Sequence, residues 1–356
     1  MKKWVKILLI VLLAVVLLAA AYVAYVFISY HRISDQPLTP VQTPDTAPSL
    51  SAGEAYTLVS WNIGFGAYEE DYGFFMDGGT ESRAWSKERL TANMDAIAGY
   101  LKQQDADFYL LQEVDTDATR SYHVDEREPL YAALFDKSSV FCQNYDSPYL
   151  LYPLTKPHGA SQSGLLTFAP VNIAAANRVE LPVEGGFMKL LDLDRCYSVS
   201  RIPAEGGKEL VLYDLHLSAY TSDGTIATEQ LKLLLADMQA EYESGNWCVA
   251  GGDFNKDLLG DSAAWFGEAD QSYSWAQPIP AETFAGVDVS LEAPLDENDP
   301  VPSCRNADGP YHEGQYVLTV DGFLTTPNVT VSQATVLDTG FAWSDHNPVK
   351  MTFTLS

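Results

Sequence analysis

The stretch Trp247-Cys248-Val249-Ala250-Gly251-Gly252-Asp253-Phe254-Asn255 runs from an apolar segment through two glycines to a carboxylate and a carboxamide. Residues 247–250 read as a short buried strand, after which the glycines permit a tight turn. Asp253 and Asn255 lie two apart, so an extended segment presents both on one side. A carboxylate placed there can take a proton from water, and an amide can donate to an anionic oxygen. The structural alternative is a Gly-Gly-Asp turn whose Asn satisfies loop backbone. Just upstream, Leu231, Leu234, Leu235, Met238 and Tyr242 line one face of a helix expected over residues 225–243. Helix, strand and polar tip therefore follow one another, ending at Asp253.

The same order occurs earlier in the chain. Ser86 is placed to cap a helix whose Leu90, Met94, Ile97 and Leu101 share a face, and Asp105-Ala106-Asp107 ends it. Residues 108–111 then form an apolar strand leading to Gln112-Glu113. A glutamate after a buried strand is costly unless solvated, paired or metal-bound. Two such units argue for a layered α/β domain. Residues 57–62 read as a strand presenting Asn62. Residues 149–155 and 163–169 read as strands joined by Lys156-Pro157-His158-Gly159. Residues 197–202 and 209–217 suggest a hairpin around Gly206-Gly207, with Asp214 and His216 on one face. Asp321 interrupts a β-rich run over 316–325 and so needs a buried partner. Ser344-Asp345-His346-Asn347-Pro348 leads into a last strand, 349–355. The long loop 64–86 carries Arg83, and Lys87 follows it; these cations meet either a substrate anion or surface carboxylates.

The first segment is of another kind. Residues 7–29 carry no charge and follow Lys2, Lys3 and Lys6. Such a helix is about 34 Å long, enough to cross a bilayer core, and the lysines put the rest of the chain on the extracytoplasmic side. We read residues 1–33 as an uncleaved single-pass signal anchor, with a cleaved signal peptide as the rival. Residues 34–54 hold Pro37, Pro40, Pro44 and Pro48 and read as an extended spacer, leaving 55–356 as the folded body. The 356 residues are 47% hydrophobic, enough for one large domain or two small ones. The net charge is −27, and residues 34–356 alone carry 17 basic against 48 acidic groups. An acidic body without a basic run disfavours long nucleic acid, although a bound cation would reverse the field locally. Cys142, Cys196, Cys248 and Cys304 lack metal-type spacing, and sequence assigns them no pairing.

Six polar positions thus fall at strand ends. The pieces Ser60-Trp61-Asn62, Leu111-Gln112-Glu113, Leu215-His216-Leu217, Gly252-Asp253-Phe254-Asn255, Val320-Asp321 and Ser344-Asp345-His346-Asn347-Pro348, in this order, resemble the endonuclease/exonuclease/phosphatase superfamily. That superfamily includes pancreatic-type deoxyribonucleases, apurinic endonucleases, neutral sphingomyelinases and inositol polyphosphate 5-phosphatases. The resemblance covers residues 55–356. It implies a four-layer α/β sandwich with two packed mixed β-sheets, here preceded by one transmembrane helix. It also implies phosphate-ester hydrolysis with a divalent cation, Mg²⁺ first, with Mn²⁺ or Ca²⁺ as alternatives.

Carried over residue by residue, Glu113 becomes the principal metal ligand with Asn62, and Asp345 lies near the metal or the leaving group. Asp253 orients or deprotonates the attacking water. Asn255 and His216 donate to non-bridging oxygens, His346 contacts the phosphate, and Asp321 holds His346. Oxygen ligands of this kind suit a hard cation. One departure is Gly322, where the family usually has an aromatic; Phe323 follows, so the doubt falls on packing and not on the carboxylate. The expectation is a monomeric, membrane-anchored phosphodiesterase or phosphatase acting on lipid head groups or small phosphodiesters. A nuclease is the alternative. A non-catalytic binding module on the same fold is the third reading, and it predicts eroded site residues, which this chain does not have.

Overall fold

The computed structural model describes residues 3–43, 49–185, 192–219, 224–269 and 275–356. The uncharged N-terminal segment forms one helix, Lys3–Ser29 (α1), in which only Val26 is buried. The chain continues through Gln36–Leu38 (β1), Ala55–Asn62 (β2), Lys87–Gln104 (α2), Phe108–Ala118 (β3), Arg127–Ala133 (α3), Ser138–Leu150 (β4) and Gly159–Ala169 (β5). Next come Ala175–Glu180 (β6), Cys196–Pro203 (β7), Glu209–His216 (β8), Thr225–Glu243 (α4), Trp247–Asp253 (β9) and Ala263–Phe266 (α5). The last strands are Ser290–Glu292 (β10), Cys304–Arg305 (β11), Val317–Leu318 (β12), Asp321–Thr325 (β13), Val329–Val336 (β14) and Val349–Leu355 (β15).

Two mixed sheets pack face to face. One has seven strands in the order β1-β6-β7-β8-β9-β13-β10, the other six in the order β14-β15-β2-β3-β5-β4. Leu58, Phe108 and Met351 from one sheet meet Leu212, Val249 and Phe323 from the other in a single buried cluster. The outer faces are covered by helices. Leu231, Leu234, Leu235 and Met238 of α4 seal one, and Met94, Ile97 and Leu101 of α2 the other. These are the apolar stripes that sequence periodicity predicts, with Tyr242 only half-buried. Ser86 caps α2 as expected, its hydroxyl accepting from the Arg89 N–H at 3.2 Å. The architecture is therefore the expected four-layer α/β sandwich.

Several local expectations are corrected. Gly251 and Gly252 do not turn the chain; both lie within β9. Gly252 has φ +150°, and a Cβ there would stand 2.0 Å from the Leu215 carbonyl oxygen, so glycine is needed for close approach to β8. Residues 151–155 are loop; the apolar run Tyr149-Leu150-Leu151-Tyr152 ends β4 instead of starting a strand. In the segment expected to be a free spacer, β1 adds to the edge of the seven-stranded sheet against β6, and Leu50 is buried in the inter-sheet core. Pro44 and Pro48 lie outside the described residues. The four cysteines are buried free thiols.

Candidate active site

Strand register assembles the site. Asp253 closes β9; its cross-strand partner in parallel β8 is His216, and its partner in antiparallel β13 is Asp321. Directly paired residues present their side chains on the same face. From the opposing sheet, β2 ends at Asn62 and β3 carries Glu113, which lies next to Gln112, the residue paired with Asn62. Glu113 is not at a strand end as expected. It sits at a bulge inside β3, where the pairing to β5 slips between Leu111 and Val114, with φ +58°. A bulge of this kind re-aims one side chain out of the pleat.

The remaining pair comes from the loop before β15. Ser344 Oγ donates to the Asn62 carbonyl at 2.8 Å, and Trp61 Nε1 donates to the His346 carbonyl at 2.8 Å. These bonds pin the Asp345-His346 segment against the end of β2. Gly64, at φ +54°, gives it room: a Cβ there would lie 3.2 Å from Asp345 Oδ1.

Asp253 is the hub. Its Oδ2 accepts from Asn62 Nδ2 at 3.0 Å and lies 3.4 Å from His216 Nε2 and 3.8 Å from His346 Nε2. Its Oδ1 accepts from the Asn255 N–H at 2.8 Å. Burial raises its pKa to about 7, aided by Asp321 and opposed by His346. His346 Nδ1 bonds Asp321 Oδ2 at 2.8 Å, and that oxygen also accepts from Ser303 Oγ at 2.7 Å. Burial alone would lower the His346 pKa; the Asp321 charge, with Asp253, outweighs it and holds the ring as an imidazolium well above the ordinary value. His216 is driven the other way, mainly by burial and then by Arg195, so its ring is neutral. Its Nδ1 has no hydrogen-bond partner among the described residues.

Asn62 and Asn255 depart from expectation in detail. The Asn62 amide oxygen accepts from the Gly64 N–H at 3.0 Å, so the group facing the site is Nδ2, which lies between Asp253 and Glu113 Oε1, 3.4 Å away. Asn255 is not extended: φ is +49°, and its Nδ2 donates one hydrogen to the Leu217 carbonyl at 2.8 Å, leaving the other for a ligand. Asp214 shares the face of His216 but is spent between the sheets, accepting from Gln112 Nε2 at 2.8 Å.

Two groups could hold a cation. Asp253, Asp321 and His346 have ligand atoms within 4.8 Å of one another. With Nδ1 bonded to Asp321, only Nε2 of His346 is open to a cation, and a cation there would have to displace the ring proton that the neighbouring carboxylates hold. Glu113 and Asp345 fit better. Burial raises the Asp345 pKa to about 6, and the Glu113 charge adds to that rise against His346 and Arg305. Both carboxylates line the cavity and offer the hard oxygen donors that suit a divalent cation.

Asn62, Glu113, His216, Asp253, Asn255, Asp345 and His346 all open on one cavity of about 290 Å³. Asp321 stands behind His346. Sequence reasoning missed the cavity's cations. Arg120, Arg195 and Arg305 line it, whereas Arg83 is bound to the Pro157 carbonyl and Lys87 opens α2. Arg120 forms a bidentate pair with Asp115, 2.8 Å at its shortest, and lies 3.8 Å from Glu113. Nothing in the sequence around Arg120 signals this role.

A model of the Endonuclease/Exonuclease/phosphatase family matches residues 59–346. No curated protein sequence matches the chain. Among solved structures, an endonuclease/exonuclease/phosphatase from Beutenbergia cavernae is similar at 17% identity and TM-score 0.55, over 85% of this chain and 72% of that one. ANGEL2, a 2',3'-cyclic phosphatase, is similar at 16% identity and TM-score 0.54, over 89% and 98%. A humanized D. rerio TDP2 is similar at 15% identity and TM-score 0.52, over 84% and 99%. At these identities the likeness is one of fold.

Proposed function

Because this chain belongs to the endonuclease/exonuclease/phosphatase family, we propose that it is a metal-dependent hydrolase of phosphate esters, anchored by α1 with residues 34–356 on the extracytoplasmic side. The observation that carries this reading is the hub at Asp253, where one carboxylate oxygen lies within 3.8 Å of Asn62, His216 and His346. A carboxylate with a pKa near neutrality is poised to accept a proton from water. Asn255 Nδ2 keeps a hydrogen for a phosphoryl oxygen. His346 brings positive charge to the same mouth, and Asp321 sustains that charge; phosphoryl transfer needs such positioning and charge neutralisation above all. Neutral His216 offers a donor without adding repulsion between two imidazolium rings.

Glu113 and Asp345 would hold the divalent cation, Mg²⁺ by preference for hard oxygen donors, with Mn²⁺ or Ca²⁺ as substitutes. When bound, the cation supplies Lewis-acid stabilisation of phosphoryl charge. In this reading Asn62 acts by tying Glu113 to Asp253, not as a ligand through its oxygen. Substrates are phosphodiesters or phosphomonoesters of lipid head groups or small molecules. The acidic body weighs against long nucleic acid, while the three cavity arginines are what would favour a nuclease. The test is the full chain in detergent with Mg²⁺, offered phospholipids, inositol phosphates and duplex DNA. We expect turnover of the first two classes. Efficient DNA nicking at physiological salt would favour the nuclease, and no turnover of any of them would favour the binding module.

A further inference from the structure

We propose that the mouth of the cavity is held against the bilayer that contains α1, with the loop after β4 seated at head-group level, so that the site takes phosphoester lipids from that leaflet. This rests on the reading of α1 as an anchor. The 27-residue α1 is about 40 Å long at 1.5 Å per residue, roughly 10 Å more than a bilayer core. Lys3 and Lys6 hold one end among head groups. Counted from Lys6, about 20 residues of helix cross the core, so its far boundary falls near Val26, and Tyr22 and Tyr25 lie within about one turn of it.

That end is fastened beside the cavity. Tyr22 Oη accepts from the Leu151 N–H at 2.8 Å, and Tyr25 Oη accepts from the Tyr149 N–H at 3.1 Å. The chain leaving α1 is clamped as well: Arg32 donates to the Leu181 and Leu193 carbonyls at 2.9 and 3.1 Å, and His31 lies 3.4 Å from Asp146. Leu150, Tyr152 and Leu193, beside these contacts, line the cavity. No free tether separates the anchor from the site.

The same loop is the part of the rim that water suits least. Tyr152 is 68% and Leu154 82% exposed, and Leu151 is also exposed. Tyr152 packs on Phe75, with ring centroids 5.6 Å apart, which extends the apolar rim into the cavity wall. Tyrosine and leucine at the height of Tyr22 and Tyr25 match an interfacial belt. An acidic body is repelled by an anionic leaflet, so apolar contact carries the docking and added salt does not weaken it.

The test uses the full chain in phosphatidylcholine vesicles with brominated acyl chains. The four native cysteines are buried, so a fluorophore can be placed selectively on Leu154→Cys, or on Leu233→Cys in α4 as the control. We expect quenching at 154 several-fold above that at 233; equal quenching overturns the proposal. This readout needs no catalysis, so a chain that docks but hydrolyses nothing refutes the hydrolase reading and not the docking. In an active chain, Leu151→Ser/Leu154→Ser should lower phospholipid hydrolysis about tenfold relative to hydrolysis of soluble bis(4-nitrophenyl) phosphate. An unchanged ratio overturns the proposal.

Discussion

Asp321 touches no cavity surface, yet the charge of His346 depends on it. The 2.8 Å bond from His346 Nδ1 favours the charged ring and holds its orientation. Replacing the carboxylate by an amide removes the charge that offsets burial. Asp321→Asn should lower kcat by roughly 10²–10³-fold with little change in melting temperature, and steady-state kinetics beside a thermal melt would check it. A loss below tenfold would mean that His346 is held by its other neighbours. His158 provides a separate pH signal on the cavity wall. Burial, with Arg120 adding to it, lowers its pKa to about 4, and its Nδ1 lies 3.1 Å from the Ser82 carbonyl oxygen. Between pH 6.5 and 4 the unfolded chain binds a proton that the folded chain refuses. Stability from this group is therefore full above pH 6.5 and falls as pH drops toward 4, by on the order of 3 kcal/mol. Melting curves over that range should fall less steeply for His158→Gln than for the native chain.

At the scale of the element, the bulge in β3 joins stability to chemistry. Holding Glu113 at φ +58° costs on the order of 1 kcal/mol, and the strain is offset by the packing around it. Glu113→Gly should keep or slightly raise the melting temperature while removing Mg²⁺ binding in calorimetry. A fall of more than several degrees would show that the side chain is structural. Nothing in Leu110-Leu111-Gln112-Glu113-Val114 announces a bulge, because the slip is decided by pairing with β5. The same limit explains β1: its three residues carry a proline and few apolar groups, and only a distant partner, β6, makes them a strand. Residues 151–155 depart from the expected strand for the opposite reason, since the apolar run at 149–152 is intrinsically strand-like but faces outward. By contrast α2 and α4 were legible, because one amphipathic period meets one sheet. The polar residues that meet at the cavity were legible too, as polar positions after largely apolar runs, although Glu113 lies inside β3 and not at its end. Arg120, Arg195 and Arg305 were not, since an isolated arginine carries no pattern.

Over the whole molecule, both sheets deliver residues to the candidate site, so the inter-sheet core sets its geometry. Phe323, Val249, Leu110 and Leu58 lie in the same buried cluster, on the strands that carry Asp321, Asp253, Glu113 and Asn62. The body's excess of acidic groups makes a divalent cation the natural complement of the mouth. Mg²⁺ at saturating concentration should raise the melting temperature by several degrees, and a chelator should reverse it. The most direct measurement is turnover of bis(4-nitrophenyl) phosphate by the full chain with Mg²⁺, native against Asp253→Asn. A drop of about 10³-fold or more with an unchanged melt is the expected result. Turnover within tenfold of the native chain would contradict a site organised around that carboxylate.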